Sequence, residues 1–290
     1  MKTIDIHTHG IGGYDTHTKD PEEILAMASI HGSSDVSAIV PTIYSGTLEE
    51  MRSQLATIKR AMEAQAEHRS SDAGAAVILG AHLEGPFLNP IRAGALDPAT
   101  FIEPGEYPLR SLVEGFEDVI KIITVAPELS GGPELITRCA KAGISVSMGH
   151  TDATFHEAEA GFHHGAKGIT HFMNAARPFH QREPGIIGFG LLNPHIFVEL
   201  IADPFHLHPR SIELVFRLKD PSKIMIVSDT VKETPVMVRD RRKEAIIDGN
   251  GALKGGSMTV TEAAQRLMSL DFDKDAVTRA AGTNQAVYLG

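Results

Sequence analysis

The chain of 290 residues has one cysteine, Cys139, and no tryptophan. A single thiol cannot form an intramolecular disulfide or build a cysteine-rich zinc site. No apolar run is long enough to span a bilayer. The opening MKTIDIHTHG has no apolar signal core, because Asp5, His7 and His9 interrupt it. These absences predict a soluble cytoplasmic protein with no membrane partner. Positive charge is scarce too: 27 Lys and Arg face 37 Asp and Glu, for a net charge of −10. A phosphate-backbone binder needs a basic surface, so nucleic acid is not an expected partner. Histidine is plentiful, with 15 copies against 12 phenylalanines. That excess points to metal or acid–base chemistry.

Short β-branched runs at 3–6, 36–40, 77–81, 120–125, 144–147, 168–170, 197–201 and 224–228 predict strands. Helical patterns at 21–31, 48–68, 134–142, 155–165 and 209–218 fall between them, and two more start at Thr259 and Asp273. Pro21 and Pro209 suit first-turn positions, and Gly143 suits a helix end. Eight strands with intervening helices predict an α/β fold, a (β/α)₈ TIM-like barrel, with residues 1–290 as one domain. A doubly wound open sheet is the rival. The Gly/Pro-rich stretch 174–190 is expected to be a long loop after the sixth strand, and 231–256 a polar loop after the eighth.

Catalytic groups of a barrel sit at the C-terminal ends of its strands. The first strand ends in His7-Thr8-His9, where residues two apart share a face. The third runs into His82-Leu83-Glu84, the fifth into Gly149-His150, the sixth into Thr170-His171 and the eighth into Ser228-Asp229. Each signal alone carries little weight. Together, four histidines and two carboxylates at one rim make a divalent-metal site. Imidazole and carboxylate suit Zn²⁺ or Fe²⁺, with room for one or two ions. His7 and His9 would hold one ion, His150 and His171 the other, with Glu84 between them. His82 is expected behind Glu84 or as a packed polar group. His17, His31, His68, His156, His163, His164 and His195 are expected at the surface or in loops.

The chain resembles the amidohydrolase superfamily and, within it, the N-acetylglucosamine-6-phosphate deacetylase family. The resemblance rests on HTHGIGGYD at 7–15, HLEGPFLNP at 82–90, VAPE at 125–128, GHTDA at 149–153, THFMNA at 170–175, REPG at 182–185 and SDT at 228–230. It implies a deacetylase of an N-acetylated amino-sugar phosphate, with Glu84, His150 and His171 as principal metal ligands. His7 and His9 match a strand-one pair that ligates in some members. Asp229 matches the catalytic aspartate. Arg182 and His206 match sugar- or phosphate-contacting positions, with Arg182 reaching a neighbouring subunit in a homodimer. Asn174 and Ala175 match backbone contacts to substrate, and Ala252 and Leu253 a loop near the acetyl group.

The chain departs from that pattern in three ways. Leu96 stands where the family has a substrate-orienting histidine, and Asp203-Pro204-Phe205-His206 replaces a usual Asp-Gly pair. Both halves of the β-sandwich that flanks the barrel in typical members are missing, which implies a barrel-only member. The alternatives are an amidohydrolase acting on another amide or cyclic amide, and a non-catalytic sugar-phosphate-binding barrel.

Overall fold

The computed structural model describes residues 2–67, 74–236, 244–249 and 251–290. Eight parallel strands lie side by side in chain order. They are β1 (Thr3–Thr8), β2 (Val36–Tyr44), β3 (Ala81–Glu84), β4 (Ile120–Val125), β5 (Ser145–Met148), β6 (Ala166–Ile169), β7 (Phe197–Ile201) and β8 (Ile224–Val227). The sequential order excludes the doubly wound sheet, whose order reverses midway. The circle closes at its C-terminal mouth, where Thr8 bridges Thr230 and the Asp229 N–H donates to the His7 carbonyl at 2.8 Å.

Helices α1 (Pro21–Ser33), α2 (Leu48–Glu67), α3 (Glu106–Val113), α4 (Gly132–Lys141), α5 (Phe155–His163), α6 (Gly185–Leu192), α7 (Pro209–Leu218) and α8 (Val260–Ser269) surround the strands. Asp20 caps α1, and Thr154 and Thr259 form capping boxes with Glu157 and Glu262 at the starts of α5 and α8. A last helical segment runs through Lys274–Thr278, a π turn at Arg279–Thr283, and Asn284–Leu289. Its Asn284 and Gln285 side chains donate to the Ile224 and Ile226 carbonyls of β8 at 2.7 and 2.8 Å. The base of β8 thus finds side-chain partners where a neighbouring strand would otherwise supply them.

Alternation along the strands divides the core in two. Ile39, Ile43, Leu83, Ile123, Val146 and Ile226 face the helices. Ile6, Val40, Ile122, Phe197, Ile201, Met225 and Val227 fill the barrel, with Tyr288 closing its base. Further toward the mouth the same face turns polar, from Val40 to Thr42 and from Ile122 to Thr124. This change sets the buried chemistry at one end.

Three expectations need correction. The third barrel strand is not 77–81. Val77–Ile78 is a short strand pairing with β2, and the barrel strand begins after Gly80. Gly80 has φ 151°, and a Cβ there would lie 2.4 Å from the Val119 carbonyl oxygen, so the passage from the short strand into β3 requires glycine. The loop expected at 174–190 ends early, because α6 starts at Gly185. Its sequence GIIGFGLL is buried nearly all round, so no amphipathic period marks it. His31, expected at the surface, is fully buried on α1 and shares a hydrogen bond with Thr8 Oγ1 at 3.1 Å. His17, His156, His163, His164 and His195 are exposed, as expected. His68 and positions 237–243 and 250 of the polar loop lie outside the described residues. The rest of that loop includes a hairpin, Ile246–Ile247 with Leu253–Gly255.

Candidate metal centre and substrate cavity

His7 and His9 owe their placement to an irregularity in β1. Between Asp5 and Thr8 three steps of β1 oppose two steps of β2. The extra residue breaks strict alternation and lets His7 and His9 turn into the barrel mouth above Ile6. His7 Nε2 lies 3.3 Å from His9 Nε2, and Asp229 Oδ1 lies 3.5 and 3.3 Å from the two nitrogens. On the other side of the mouth, His150 Nε2 and His171 Nε2 are 3.0 Å apart. Glu84 Oε1 lies 3.2 and 3.0 Å from them. Glu84 joins the halves, with Oε1 also 3.3 Å from His7 Nε2 and Oε2 3.2 Å from His9 Nε2.

The backbone contributes to this convergence. His150, His171 and Asp229 have φ of 46°, 28° and 51°, and so leave their strands through the left-handed region. Few non-glycine residues adopt that conformation, and it persists only where surroundings over-determine it. The Asn89 N–H donates to the His150 carbonyl, and the His171 N–H to Glu199 Oε2.

The tautomers fit a cation. Nδ1 of His9 faces the Thr42 carbonyl at 3.0 Å, and Nδ1 of His150 the Arg92 carbonyl at 2.9 Å. A carbonyl only accepts, so each Nδ1 carries a proton and each Nε2 is left to face the carboxylates, where it holds either a proton or a cation. Ring nitrogens and carboxylate oxygens then point at one another about 3 Å apart. That packing is repulsive without positive charge between them and is the edge length of a ligand shell around a small divalent ion. The charge balance agrees. Burial opposes a charge on His9, yet bonds to Asp229 and Glu84 raise its pKa to about 9. Burial likewise opposes a charge on His7, but Glu84, Glu199 and Asp229 push it well above the ordinary imidazole range. Among the described residues, two three-residue sets meet the spacing for an ion: His7, His9, Asp229 and Glu84, His150, His171.

His82 lies beneath. Its ring meets His7 edge-on at 4.7 Å, and its nitrogens bond Thr124 Oγ1 and the Ile6 carbonyl. Burial and the neighbouring His7 hold its pKa well below the ordinary value, so it packs as a neutral ring.

A cavity of ≈ 470 Å³ opens above the centre. Asn174, Ala175, His206, Ala252 and Leu253 line it, as does Leu96. Arg182 does not line it; the residue is exposed on the loop before α6. The Asp203-Pro204-Phe205-His206 turn has a clear local logic. Asp203 accepts from the Phe205 and His206 N–H groups and from His206 Nδ1 at 3.1 Å, which fixes that imidazole at the cavity wall. Despite burial, these contacts bring the Asp203 pKa down to about 2 and raise that of His206.

Two carboxylates were not singled out by sequence reasoning. Glu128 accepts from the Asp152 N–H and the Thr151 hydroxyl and thereby shapes the turn after His150. Glu199 sits fully buried in the middle of β7, with Oε2 3.2 Å from His7 Nδ1. The signal for Glu199 was available: a glutamate inside the run FVELI is a charge where only a partner justifies one.

No protein-family model matches the chain. Among curated proteins it is similar to N-acetylglucosamine-6-phosphate deacetylase of Bacillus subtilis, at 34% identity over 278 residues, covering 91% of this chain and 68% of the relative. The Vibrio furnissii enzyme of the same name matches at 30% identity, covering 91% and 66%. An N-acetylgalactosamine-6-phosphate deacetylase of Escherichia coli O157:H7 matches at 28%, covering 92% and 71%. The chain thus spans about two thirds of the length of these relatives. Among solved structures, the N-acetylglucosamine-6-phosphate deacetylase of Thermotoga maritima superposes with a TM-score of 0.86 at 29% identity, covering 99% of this chain and 78% of that one. The Mycobacterium smegmatis deacetylase, at 24% identity, shares the fold with a TM-score of 0.88 and covers 100% and 78%.

Proposed function

Because the chain belongs to the N-acetylglucosamine-6-phosphate deacetylase family, we propose that it hydrolyses the acetamide of N-acetylglucosamine 6-phosphate. Water enters, the C–N bond breaks, and acetate and glucosamine 6-phosphate leave. The observation that carries the reading is the pair of ligand clusters joined by Glu84 on the floor of one cavity. Residues 1–290 act in this reading as a single amidohydrolase barrel domain.

Glu84, His150 and His171 would hold the principal cation, Zn²⁺ or Fe²⁺, and His7 and His9 a second. A divalent cation acidifies water and polarises an amide carbonyl. The chain's own residues do the rest. Asp229 takes the proton from the attacking water and delivers it to the amide nitrogen as that nitrogen departs. Burial would raise its pKa, but the His9 bond and the charges of His7 and His9 lower it, so it is a carboxylate at neutral pH. His206, anchored by Asp203, presents its free nitrogen toward the sugar phosphate. Lys232 lines the cavity wall, and Lys254 beside it pairs with Glu233 at 2.6 Å. Asn174 and Ala175 suit backbone contacts to the sugar, and Ala252 and Leu253 suit the acetyl end. Arg182, exposed and away from this cavity, serves the phosphate of a neighbouring subunit in a homodimer.

Leu96 on the cavity wall favours one second reading, an acyl group other than acetyl, because an apolar side chain replaces a polar one there. The test measures kcat/KM for N-acetylglucosamine 6-phosphate, its galacto epimer, the unphosphorylated sugar and longer N-acyl analogues. The proposal expects the first to be preferred. A preference for a longer acyl chain would replace the acetyl assignment, and equal rates with and without phosphate would remove the sugar-phosphate assignment.

A further inference from the structure

The three histidines with a bonded Nδ1 in the centre are not held alike. His9 and His150 rest on backbone carbonyls, but His7 rests on a side chain, Glu199. Glu199 is fully buried between Phe197 and Ile201 on the inner face of β7. Its Oε2 accepts from His7 Nδ1 at 3.2 Å and from the His171 backbone N–H at 3.3 Å. One oxygen thus ties the β1 cluster to the β6 turn. Oε1 is buried and has no hydrogen-bond partner among the described residues. A carboxylate placed so deep is explained by what it holds.

Proton position is the first consequence. A carboxylate oxygen on Nδ1 keeps the His7 proton there and leaves Nε2 facing Glu84, His9 and Asp229. Ring placement is the second. The oxygen that accepts from His7 Nδ1 also accepts from the His171 N–H, so the His7 ring is held against the turn that carries His171. We propose that Glu199 is a positioning residue that makes His7 a metal ligand, so that it determines whether the His7–His9 side of the centre holds an ion. The inference rests on the metal-dependent reading above and goes beyond it by assigning ion number to a residue that touches neither ion nor substrate.

The experiment counts ions rather than turnover. The full chain is stripped with a chelator and titrated with Zn²⁺ against a competing indicator, for wild type, Glu199→Leu and Glu199→Gln. Folding is checked by circular dichroism, and acetate release is assayed on the same samples. Expected are two Zn²⁺ for wild type and one for Glu199→Leu, with affinity at the remaining site changed less than about threefold. Glu199→Gln keeps an acceptor without the charge; it should bind two ions, the weaker by 10- to 100-fold, the usual scale for a residue behind a ligand. If Glu199→Leu does not fold, Glu199→Gln alone decides, and unchanged affinities there overturn the proposal. Two ions in Glu199→Leu at wild-type affinity, or loss of both ions from a folded variant, also overturn it. Wild type that takes one ion and still releases acetate overturns it too, while leaving the deacetylase reading intact.

Discussion

Five of the seven described non-glycine residues with positive φ are His150, His171, Met173, Ala175 and Asp229, all at the barrel mouth. Strain of about 1–3 kcal/mol at each such residue is concentrated where the side chains must converge, and the strands below have none of it. Asp229 is the sharpest test of what that placement achieves. Asp229→Asn preserves shape and the contact with His9 but cannot take a proton. Turnover should fall on the order of 10²–10⁴ while the ion held by Glu84, His150 and His171, read by elemental analysis, stays bound. Near-normal turnover would assign the proton transfer to another group. His31 gives a prediction about pH. Burial lowers its pKa from 6.5 to about 4. Between those values the unfolded chain takes a proton that the folded chain refuses, so stability falls as pH drops through this window. The loss approaches about 3 kcal/mol at the low end. Urea denaturation at pH 7 and pH 4.5 should show His31→Gln losing less stability than wild type across that interval. Equal losses would mean that His31 is not held neutral.

At the scale of elements, the barrel's inner face works as a packing constraint. Gly168 on β6 faces Tyr288, and a Cβ there would lie 2.8 Å from the Tyr288 hydroxyl and 3.1 Å from Ser147 Oγ. Tyr288 is fully buried and has little room to retreat. Gly168→Ala should therefore cost about 1–3 kcal/mol, read as a lower denaturation midpoint, with metal content unchanged. The same alternation made much of the fold legible in the sequence. β4, β7 and β8 are short apolar runs bounded by turns, and Asp229 follows the last of them. β3 was misplaced because the apolar run Val77-Ile78-Leu79 leads into Gly80, and no local pattern tells a kink from a strand interior. α6 escaped because a helix buried on all sides has no polar face to give it a period. His7 and His9 were paired by the two-residue rule, but it is the irregularity after Asp5 that aims them into the mouth. Glu199 was legible in principle as a lone charge in an apolar strand, but its partner lies 192 positions away. Local patterns carry no record of such a distance.

For the whole molecule, the terminal helix and the mouth loops divide the work. Tyr288, Asn284 and Gln285 finish the base, while the loops after β3, β6, β7 and β8 build the cavity. Arg182 lies outside this cavity, and its proposed role needs a second copy of the chain. A homodimer should appear in sedimentation, and Arg182→Ala should weaken discrimination in favour of the phosphorylated sugar by about 1.5–3 kcal/mol, the scale of a hydrogen bond to a charged group. A monomer with undiminished phosphate preference would place the phosphate on His206 and the lysines of the same chain. The central claim is that the joined clusters of Glu84, His150, His171, His7, His9 and Asp229 form a metal centre that cleaves the acetamide of a sugar phosphate. The most direct measurement is acetate release from N-acetylglucosamine 6-phosphate by the purified chain, before chelation, after chelation and after Zn²⁺ or Fe²⁺ is restored. The account predicts release that is lost with the metal, recovered with it, and absent in the His150→Ala, His171→Ala double variant. Release that persists in the chelated protein or in that folded double variant would contradict it, as would a metal-loaded wild type that releases no acetate.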